Sequence, residues 1–191
     1  MNTLMAGEPR KHLITVEEYY RMAEVVLLAP DAHVELIEGE IIDMAPVGIS
    51  HISVVDQLTR LFVRAAGDAA IVRIQSTIVL GTRSAPEPDL ALLAPSPDYY
   101  RHAHALPQDM LLVIEVSDAS LRHDRDVKVP LYARQGIPEA WVVDLRHGEL
   151  LMYRSPRDGR YLEHSATAAP GITRLVALPG VAVDLSGLFQ P

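Results

Sequence analysis

The spacing of apolar residues predicts two helices in the N-terminal part of the chain. From residue 51 to residue 66, apolar side chains recur every three or four positions, which places one helical face against a core; they are Ile52, Val55, Leu58, Phe62 and Ala66. Ser50 is the predicted N-cap of this helix. A shorter helix is predicted from Thr15 to about Ala23, because Thr15 and Glu18 have the spacing of a capping box.

Short apolar runs predict a series of strands. Residues 33–44 form a predicted hairpin with its turn near Glu38-Gly39. The continuous apolar run at 110–116 has the length of a buried central strand. Asp158-Gly159 indicates a second hairpin turn. Further strands are predicted at 71–80, 89–93, 139–144, 150–154, 161–164, 173–176 and 181–183.

A helix is predicted between the strands at 110–116 and 139–144. It is expected to start near Val127, because Pro130 then lies in the first turn, where amides have no helical partner to lose. Gly136 is its predicted end. The strand–helix–strand unit should cross over in the right-handed sense. The order of elements predicts a single α/β domain with a mixed central β-sheet, flanked by helices and carrying additional β-hairpins.

Two carboxylates border or interrupt the apolar runs. Asp89 follows Pro88 at the start of one predicted strand, and Glu115 lies near the end of another. A carboxylate beside a buried strand is costly unless something pairs with it. Together with Lys128, the two acids suggest a divalent metal and anionic chemistry. The alternatives are strand-end acids that form salt bridges with Arg or Lys, and an i,i+4 pair between Lys128 and Asp124.

Four further side chains could have either a functional or a structural role. Glu35 could reach a metal as a third acid, or face solvent from the hairpin. His51 lies in the first turn of its helix, where amides favour anions, so it could contact a phosphate or be an ordinary surface histidine. His102 and His104 belong to a loop predicted at 94–109, where they could bind metal or lie at the surface.

Pro88-Asp89, Glu115-Val116-Ser117 and Lys128 resemble the pattern of PD-(D/E)XK nucleases, with Ser117 at the strand position that usually carries the lysine. The wider chain resembles the Uma family of restriction-endonuclease-like proteins. This resemblance implies a restriction-endonuclease-like domain in which Lys128, on the following helix, replaces the missing strand lysine. The segments that carry it are TVEEYYRM at 15–22, ELIEGEIIDMAP at 35–46, His51, PEPDLALLAP at 86–95, LVIEVSDAS at 112–120, DRDVKVPLYARQGIPEAWVVD at 124–144 and LPGVAVDLSGLF at 178–189.

The resemblance also implies an activity and a set of roles: hydrolysis of DNA phosphodiester bonds. Asp89, Glu115 and the Val116 carbonyl would bind Mg²⁺, or Mn²⁺ in its place. Lys128 would stabilise charge on the phosphate or orient the attacking water, and Glu35 would complete the acidic cluster. The expected substrate contacts are His51, Tyr132 and Arg125.

The negative charge of the chain argues against tight binding to DNA. The chain carries 17 Lys and Arg against 25 Asp and Glu, a net charge of −8. Residues 1–120 hold 8 basic and 17 acidic side chains (−9), and residues 121–191 hold 9 and 8 (+1). We therefore expect DNA binding to be weak and strongly dependent on salt. A homodimer would suit cleavage of both strands of a duplex.

Composition sets further expectations. The chain has no cysteine, which excludes a disulfide framework and a thiolate metal site. Residues 1–12 are expected to form a flexible tail before a single domain at 13–191. The sequence shows neither an apolar run of membrane-spanning length nor a signal-peptide core, so a cytoplasmic location is expected.

Two other functions compete with the nuclease hypothesis. A non-catalytic scaffold or interaction module that retains the nuclease fold would agree with the negative charge and the absent strand lysine. Alternatively, Asp89 and Glu115 could act as general acid and base on a sugar, since glycosidases use paired carboxylates. The low aromatic content, 5% of residues, is not typical of a sugar-binding cleft.

Overall fold

A six-stranded mixed sheet forms the centre of the molecule. The structure is a computed structural model that describes residues 10–29 and 31–190. The strands lie in the order β3-β4-β5-β6-β7-β8; β5 and β6 are parallel, and every other neighbouring pair is antiparallel. Their bounds are β3 Ile71–Ile74, β4 Leu90–Leu93, β5 Met110–Ser117, β6 Glu139–Asp144, β7 Glu149–Arg157 and β8 Arg160–Thr167. This mixed sheet and its flanking helices confirm the predicted α/β fold.

Two hairpins lie outside the central sheet. The first pairs β1 (Val34–Ile37) with β2 (Glu40–Asp43) around the predicted turn, and a bridge between Leu36 and Ala85 connects it to the chain before β4. The second pairs β9 (Ile172–Arg174) with β10 (Ala182–Asp184). The first hairpin is the one that contributes a side chain to the candidate site.

Helix α2 (Ile49–Ala66) covers one face of the sheet with four of the predicted apolar side chains, those of Val55, Leu58, Phe62 and Ala66. The prediction is wrong for Ile52, which is 48% exposed. Its Phe62 ring packs 5.6 Å from the ring of Trp141 on β6, between centroids. The helix begins one residue before the predicted cap: Gly48 is the N-cap, in an extended conformation, so Ser50 lies within the first turn. The prediction of Ser50 as N-cap is therefore wrong. The short helix α1 (Val16–Glu24) has the predicted capping box of Thr15 and Glu18.

The other face of the sheet is covered by a helical stretch that begins earlier than predicted. It consists of α3 (Leu121–His123), a π-helical segment (Asp124–Lys128) and α4 (Val129–Arg134). The start predicted near Val127 is therefore wrong. A proline within an α-helix clashes with the carbonyl four residues earlier. Here the wider π turn, in which the Val129 amide donates to the Asp124 carbonyl, directly precedes Pro130 and makes room for it.

Strand β3 is shorter than the predicted strand at 71–80. It ends at Ile74 because Gln75 adopts a positive φ of 41°, which interrupts extended backbone. Ile78 and Leu80 are nevertheless buried, and their amides donate to the carbonyls of Pro86 and Ser84. Their apolar character therefore reflects burial in a loop rather than a strand.

The N-terminal part of the chain contacts the first hairpin. Residues 1–9 of the expected tail lie outside the described residues. From residue 10 onward, Lys11 forms an ion pair with Glu40 at 2.7 Å, and the Ile14 amide donates to the Gly39 carbonyl. No helix in the described ranges combines the length and the apolar composition needed to cross a membrane.

Candidate active site

Lys128 lies at the centre of a buried cluster of charged side chains. Its side chain is inaccessible to solvent, and its Nζ lies 2.8 Å from Glu115 Oε1 and 3.3 Å from Glu35 Oε2. The π turn of the helical stretch carries Lys128 toward the sheet. Burial lowers the pKa of Lys128, but the adjacent Glu115 and Glu35 outweigh it, so that the net shift is upward. Lys128 is therefore held as a cation between two strand carboxylates.

Glu115 faces Lys128 because side chains alternate along β5. Ile114 and Val116 point into the core beneath α2, so Glu115 points to the opposite face, which the helical stretch covers. The hydroxyl of Tyr132, one turn after Lys128, donates to Glu115 Oε1. Burial raises the pKa of Glu115 well above its ordinary value; Lys128 opposes this shift, and neighbouring carboxylates reinforce it.

Glu35 is fully buried on β1, so the solvent-facing interpretation is wrong. Its Oε1 lies 3.1 Å from His123 Nε2, and its Oε2 accepts a hydrogen bond from the Glu87 amide at 3.1 Å, in addition to its contact with Lys128. Burial raises the pKa of Glu35, but the His123 hydrogen bond and the Lys128 charge reverse the direction, so the pKa is lowered. Glu35 is thus the carboxylate that most firmly retains its charge beside Lys128.

Asp89, directly before β4, is the acid of the cluster that reaches the surface. Its side chain is 14% exposed. Its Oδ2 accepts a hydrogen bond from the Val116 amide at 2.8 Å, and its Oδ1 lies 3.0 Å from His51 Nε2. That hydrogen bond raises the pKa of His51 despite the opposing effect of burial. His51 is buried and contacts Asp89, so the interpretation as an ordinary surface histidine is wrong. Val116 contacts Asp89 through its amide.

Asp124 forms hydrogen bonds with two serines, whereas its i,i+4 spacing suggested an ion pair with Lys128. Its buried Oδ2 accepts hydrogen bonds from the hydroxyls of Ser117 at 2.7 Å and Ser120 at 2.5 Å. The nearest carboxylates to Lys128 are Glu115 and Glu35, so the i,i+4 pair with Asp124 is not its main contact. Ser117, at the position of the missing lysine, thus anchors the start of the helical stretch that supplies Lys128.

Sequence reasoning missed His123 and Asp124 as members of the cluster. No spacing rule links His123 to Glu35, since 88 positions separate them. A weak signal for Asp124 was present, because Ser117, Ser120 and Asp124 are polar residues that flank the start of a helix.

Arg125 and the loop histidines lie elsewhere. The Arg125 guanidinium pairs with Asp126 at 2.7 Å on the exposed side of the helical stretch, and no hydrogen bond or ion pair within 10–29 and 31–190 joins it to the cluster. His102 and His104 belong to an irregular, exposed loop rather than a strand, and His104 stacks on Tyr20.

A cleft of about 420 Å³ opens beside Asp89. Its lining combines the apolar edge of the first hairpin with polar side chains near β3 and β4. The residues around it are Ala32, His33, Val34, Met44, Ala45, Pro46, Val47, Gln75, Glu87 and Asp89. Small ligands bind in clefts of roughly 300–1,000 Å³. Solvent therefore has a route to Asp89, while Glu115 and Lys128 lie deeper.

The carboxylate oxygens of the cluster are the kind of ligand that a hard divalent cation prefers. The cluster contains four carboxylates. Those of Glu35, Asp89 and Asp124 interact electrostatically with Glu115. Those of Glu35, Glu115 and Asp124 interact with Lys128. Burial raises the pKa of Glu115, and repulsion from the neighbouring carboxylates adds to this shift; a cation would relieve that repulsion. Within the described part of the chain, no three side chains of His, Asp or Glu are arranged as a ready metal cage. Mg²⁺ needs no such cage, because it keeps several waters and binds one or two carboxylates.

Comparisons with known proteins identify the fold and the family of the chain. A solved structure from Anabaena variabilis, titled as "a putative nuclease belonging to DUF820", superimposes with a TM-score of 0.71; the match covers 92% of this chain and 97% of that one at 15% identity. At that identity the likeness shows the fold alone. No curated protein sequence matches the chain. A family model described as "Uma2: Putative restriction endonuclease" matches residues 16–186, and the chain belongs to this restriction-endonuclease-like family.

Proposed function

We propose that this protein is a divalent-metal-dependent endonuclease that hydrolyses DNA phosphodiester bonds. The observation that carries the proposal is the buried triad of Lys128, Glu115 and Glu35, with Asp89 beside it at the mouth of a cleft. A lysine from the helix stands next to the strand carboxylate, as the family resemblance implies for a chain with Ser117 at the usual lysine position. Membership of a restriction-endonuclease-like family supports the same reaction class.

The metal site of this proposal consists of Asp89, Glu115 and the Val116 carbonyl, with Mg²⁺ or Mn²⁺ as the ion. The ion would lower the pKa of a water molecule bound to it and neutralise charge on the phosphate. His51 and the Val116 amide each hold one oxygen of Asp89 and so fix the orientation of its carboxylate.

Lys128 is proposed to assist the reaction at the phosphate. From its buried position, its positive charge would stabilise the negative charge that develops on the phosphate, or its ammonium would orient the attacking water. Glu35 keeps Lys128 charged and in place, and Tyr132 holds Glu115 by donating to it. These supporting contacts matter because a displacement of about 1 Å can cost roughly 100-fold in rate.

DNA remains the proposed substrate and a homodimer the proposed assembly. The exposed Arg125 belongs to a surface that could meet the phosphate backbone outside the cluster. Two sites related by a two-fold axis would cut both strands of a duplex.

Metal binding tests the proposal most directly. Isothermal titration of Mg²⁺ and Mn²⁺ into the wild type should show saturable binding that Glu115→Gln and Asp89→Asn each abolish. Both variants keep the side-chain shape, so Tyr132 and the Val116 amide retain an oxygen acceptor. Asp68→Asn removes one exposed carboxylate outside the cluster and serves as the charge-matched control.

Cleavage then separates an enzyme from a scaffold. Supercoiled plasmid incubated with the wild type and Mg²⁺ should be nicked or linearised, and EDTA, Asp89→Asn or Glu115→Gln should each prevent this. A wild type that folds, binds no divalent ion and cuts no DNA would contradict the proposal and favour the non-catalytic module.

A further inference from the structure

Gln75 combines an unfavourable backbone conformation with a position beside Asp89. It is one of the few non-glycine residues with a positive φ, 41°, in the described part of the chain. Its amide donates to the Asp89 carbonyl at 3.0 Å, and its Nε2 lies 3.5 Å from Asp89 Oδ1. Glycine would adopt this conformation without steric cost. Retained strain of this kind is typical of functional sites.

The cleft next to Gln75 has two chemically different sets of lining residues. The first hairpin and the segment after it contribute apolar side chains, namely Val34, Met44, Ala45, Pro46 and Val47. His33, Gln75, Glu87 and Asp89 contribute polar groups. The volume of about 420 Å³ lies within the range of small-ligand sites. The cleft therefore suits a small ligand that has both apolar surface and polar groups.

The polar groups of the cleft are mainly hydrogen-bond acceptors. Because Gln75 Nε2 points toward Asp89, its Oε1 is left to accept from a ligand. Glu87 adds an exposed carboxylate. Two carboxylates repel a phosphate placed inside the cleft but accept hydrogen bonds from N–H groups. A nucleobase with an exocyclic amine combines apolar ring faces with the matching donors, and Gln and Glu are known partners of such amines.

We propose that the cleft binds one unpaired nucleobase with an exocyclic amine, with Gln75 as a specificity-determining contact. The proposal deepens the proposed function, on which its identification of the ligand as nucleic acid rests. The base would belong to the nucleotide beside the phosphate at Asp89. Because a base in this cleft presents its amine to protein rather than to a complementary strand, the preferred substrate is single-stranded or locally unpaired.

Nucleoside binding tests this inference without cleavage. Deoxyadenosine, deoxycytidine and thymidine, at millimolar concentrations, would be titrated into the full chain while amide NMR signals of Met44, Val47 and Gln75 are followed. The two amine-bearing nucleosides should shift these signals saturably, and thymidine, which lacks the exocyclic amine, should bind several times more weakly. Unchanged signals with all three nucleosides, or equal affinity for all three, would overturn the proposal.

Gln75→Gly distinguishes a ligand contact from a structural role. The variant should raise the melting temperature by about 2–4 °C through relief of strain. It should also weaken deoxyadenosine binding about fivefold, the factor for one lost hydrogen bond. Val26→Gly is the matched control, because Val26 has a φ of 59° and is exposed outside the cleft. It should raise the melting temperature and leave binding unchanged; undiminished deoxyadenosine affinity in Gln75→Gly would overturn the role of Gln75.

The inference and the proposed function can fail separately. Saturable nucleoside binding by a protein that cuts no nucleic acid would support the cleft and contradict the nuclease. Cleavage of duplex plasmid by a protein that binds no nucleoside in the cleft would support the nuclease and contradict the inference.

Discussion

The buried ammonium group of Lys128 contacts the carboxylates of both Glu115 and Glu35. Taking charged groups out of water costs several kcal/mol per ion, and the cost is offset only by close partners. The pKa directions are mutually consistent: Glu35 is shifted toward its charged form, Lys128 stays a cation, and burial raises the pKa of Glu115. The cluster is thus a costly arrangement, which is more typical of a functional site than of a core selected for stability.

Removal of the buried lysine should reveal this cost. Lys128→Met leaves Glu35 without its cation and should lower the free energy of unfolding by about 3–5 kcal/mol, measured by urea denaturation. Adding Glu35→Gln should recover part of the loss, because the unpaired charge is removed as well. Lys11→Met, which changes the other lysine of the chain in an exposed pair with Glu40, should leave stability unchanged. A Lys128→Met protein as stable as the wild type would contradict the buried ion pair.

At the scale of elements, the β1–β2 hairpin places Glu35 against the helical stretch. Its turn contains Gly39 with a φ of 86°, and the Gly39 amide donates to the Arg83 carbonyl. A Cβ at Gly39 would lie 2.7 Å from Leu13 Cβ and 3.1 Å from the Ile14 amide nitrogen. The turn therefore requires glycine both for its backbone conformation and for the close approach of residues 13 and 14.

Comparison of two glycines separates these requirements. Gly39→Ala should cost about 1–2 kcal/mol for the left-handed conformation and roughly 1–3 kcal/mol more for the clash. Gly148→Ala should cost only the first amount, because Gly148 has a φ of 63° but a Cβ added there would lie more than 4 Å from every described residue other than its two chain neighbours. Thermal unfolding of both variants measures the difference. Equal losses would show that Leu13 and Ile14 move aside without cost.

At the scale of the whole molecule, the negative charge opposes binding to nucleic acid. The net charge is −8, and the acidic cluster lies where the proposed phosphate would bind. A bound divalent ion would offset this repulsion locally. Affinity for DNA should therefore depend on the charge of the site more than on the charge of the protein.

A single carboxylate tests this expectation. In EDTA and low salt, Asp89→Asn should bind an oligonucleotide several times more tightly than the wild type, as measured by fluorescence anisotropy, because one repulsive charge beside the phosphate is removed. Asp68→Asn, with the same change in net charge, should bind like the wild type. Equal gains in both variants would mean that only the net charge matters. The gain should diminish as salt is raised, because salt screens exposed charges.

Local patterns predicted much of the fold. The apolar stripe of α2 from Val55 to Ala66, the capping box of α1 and the hairpin turns at Glu38-Gly39 and Asp158-Gly159 all lie where the sequence indicates. These features depend on neighbours within a few residues, so a single sequence contains their cause. The misplaced start of the helical stretch and the overlong strand before Gln75 both involve unusual backbone, a π turn and a positive φ, for which the sequence carries no comparable signal.

The sequence by itself determined which groups are available for chemistry: Asp89 and Glu115 at buried strands, Lys128 on the next helix, and no cysteine. Only the tertiary structure decided how they combine. Glu35 comes from a separate hairpin and His51 from another helix, and each meets a partner far along the chain. Such contacts depend on how the sheet, the hairpin and the helices pack, and packing follows from the summed burial of many side chains rather than from the spacing of a few.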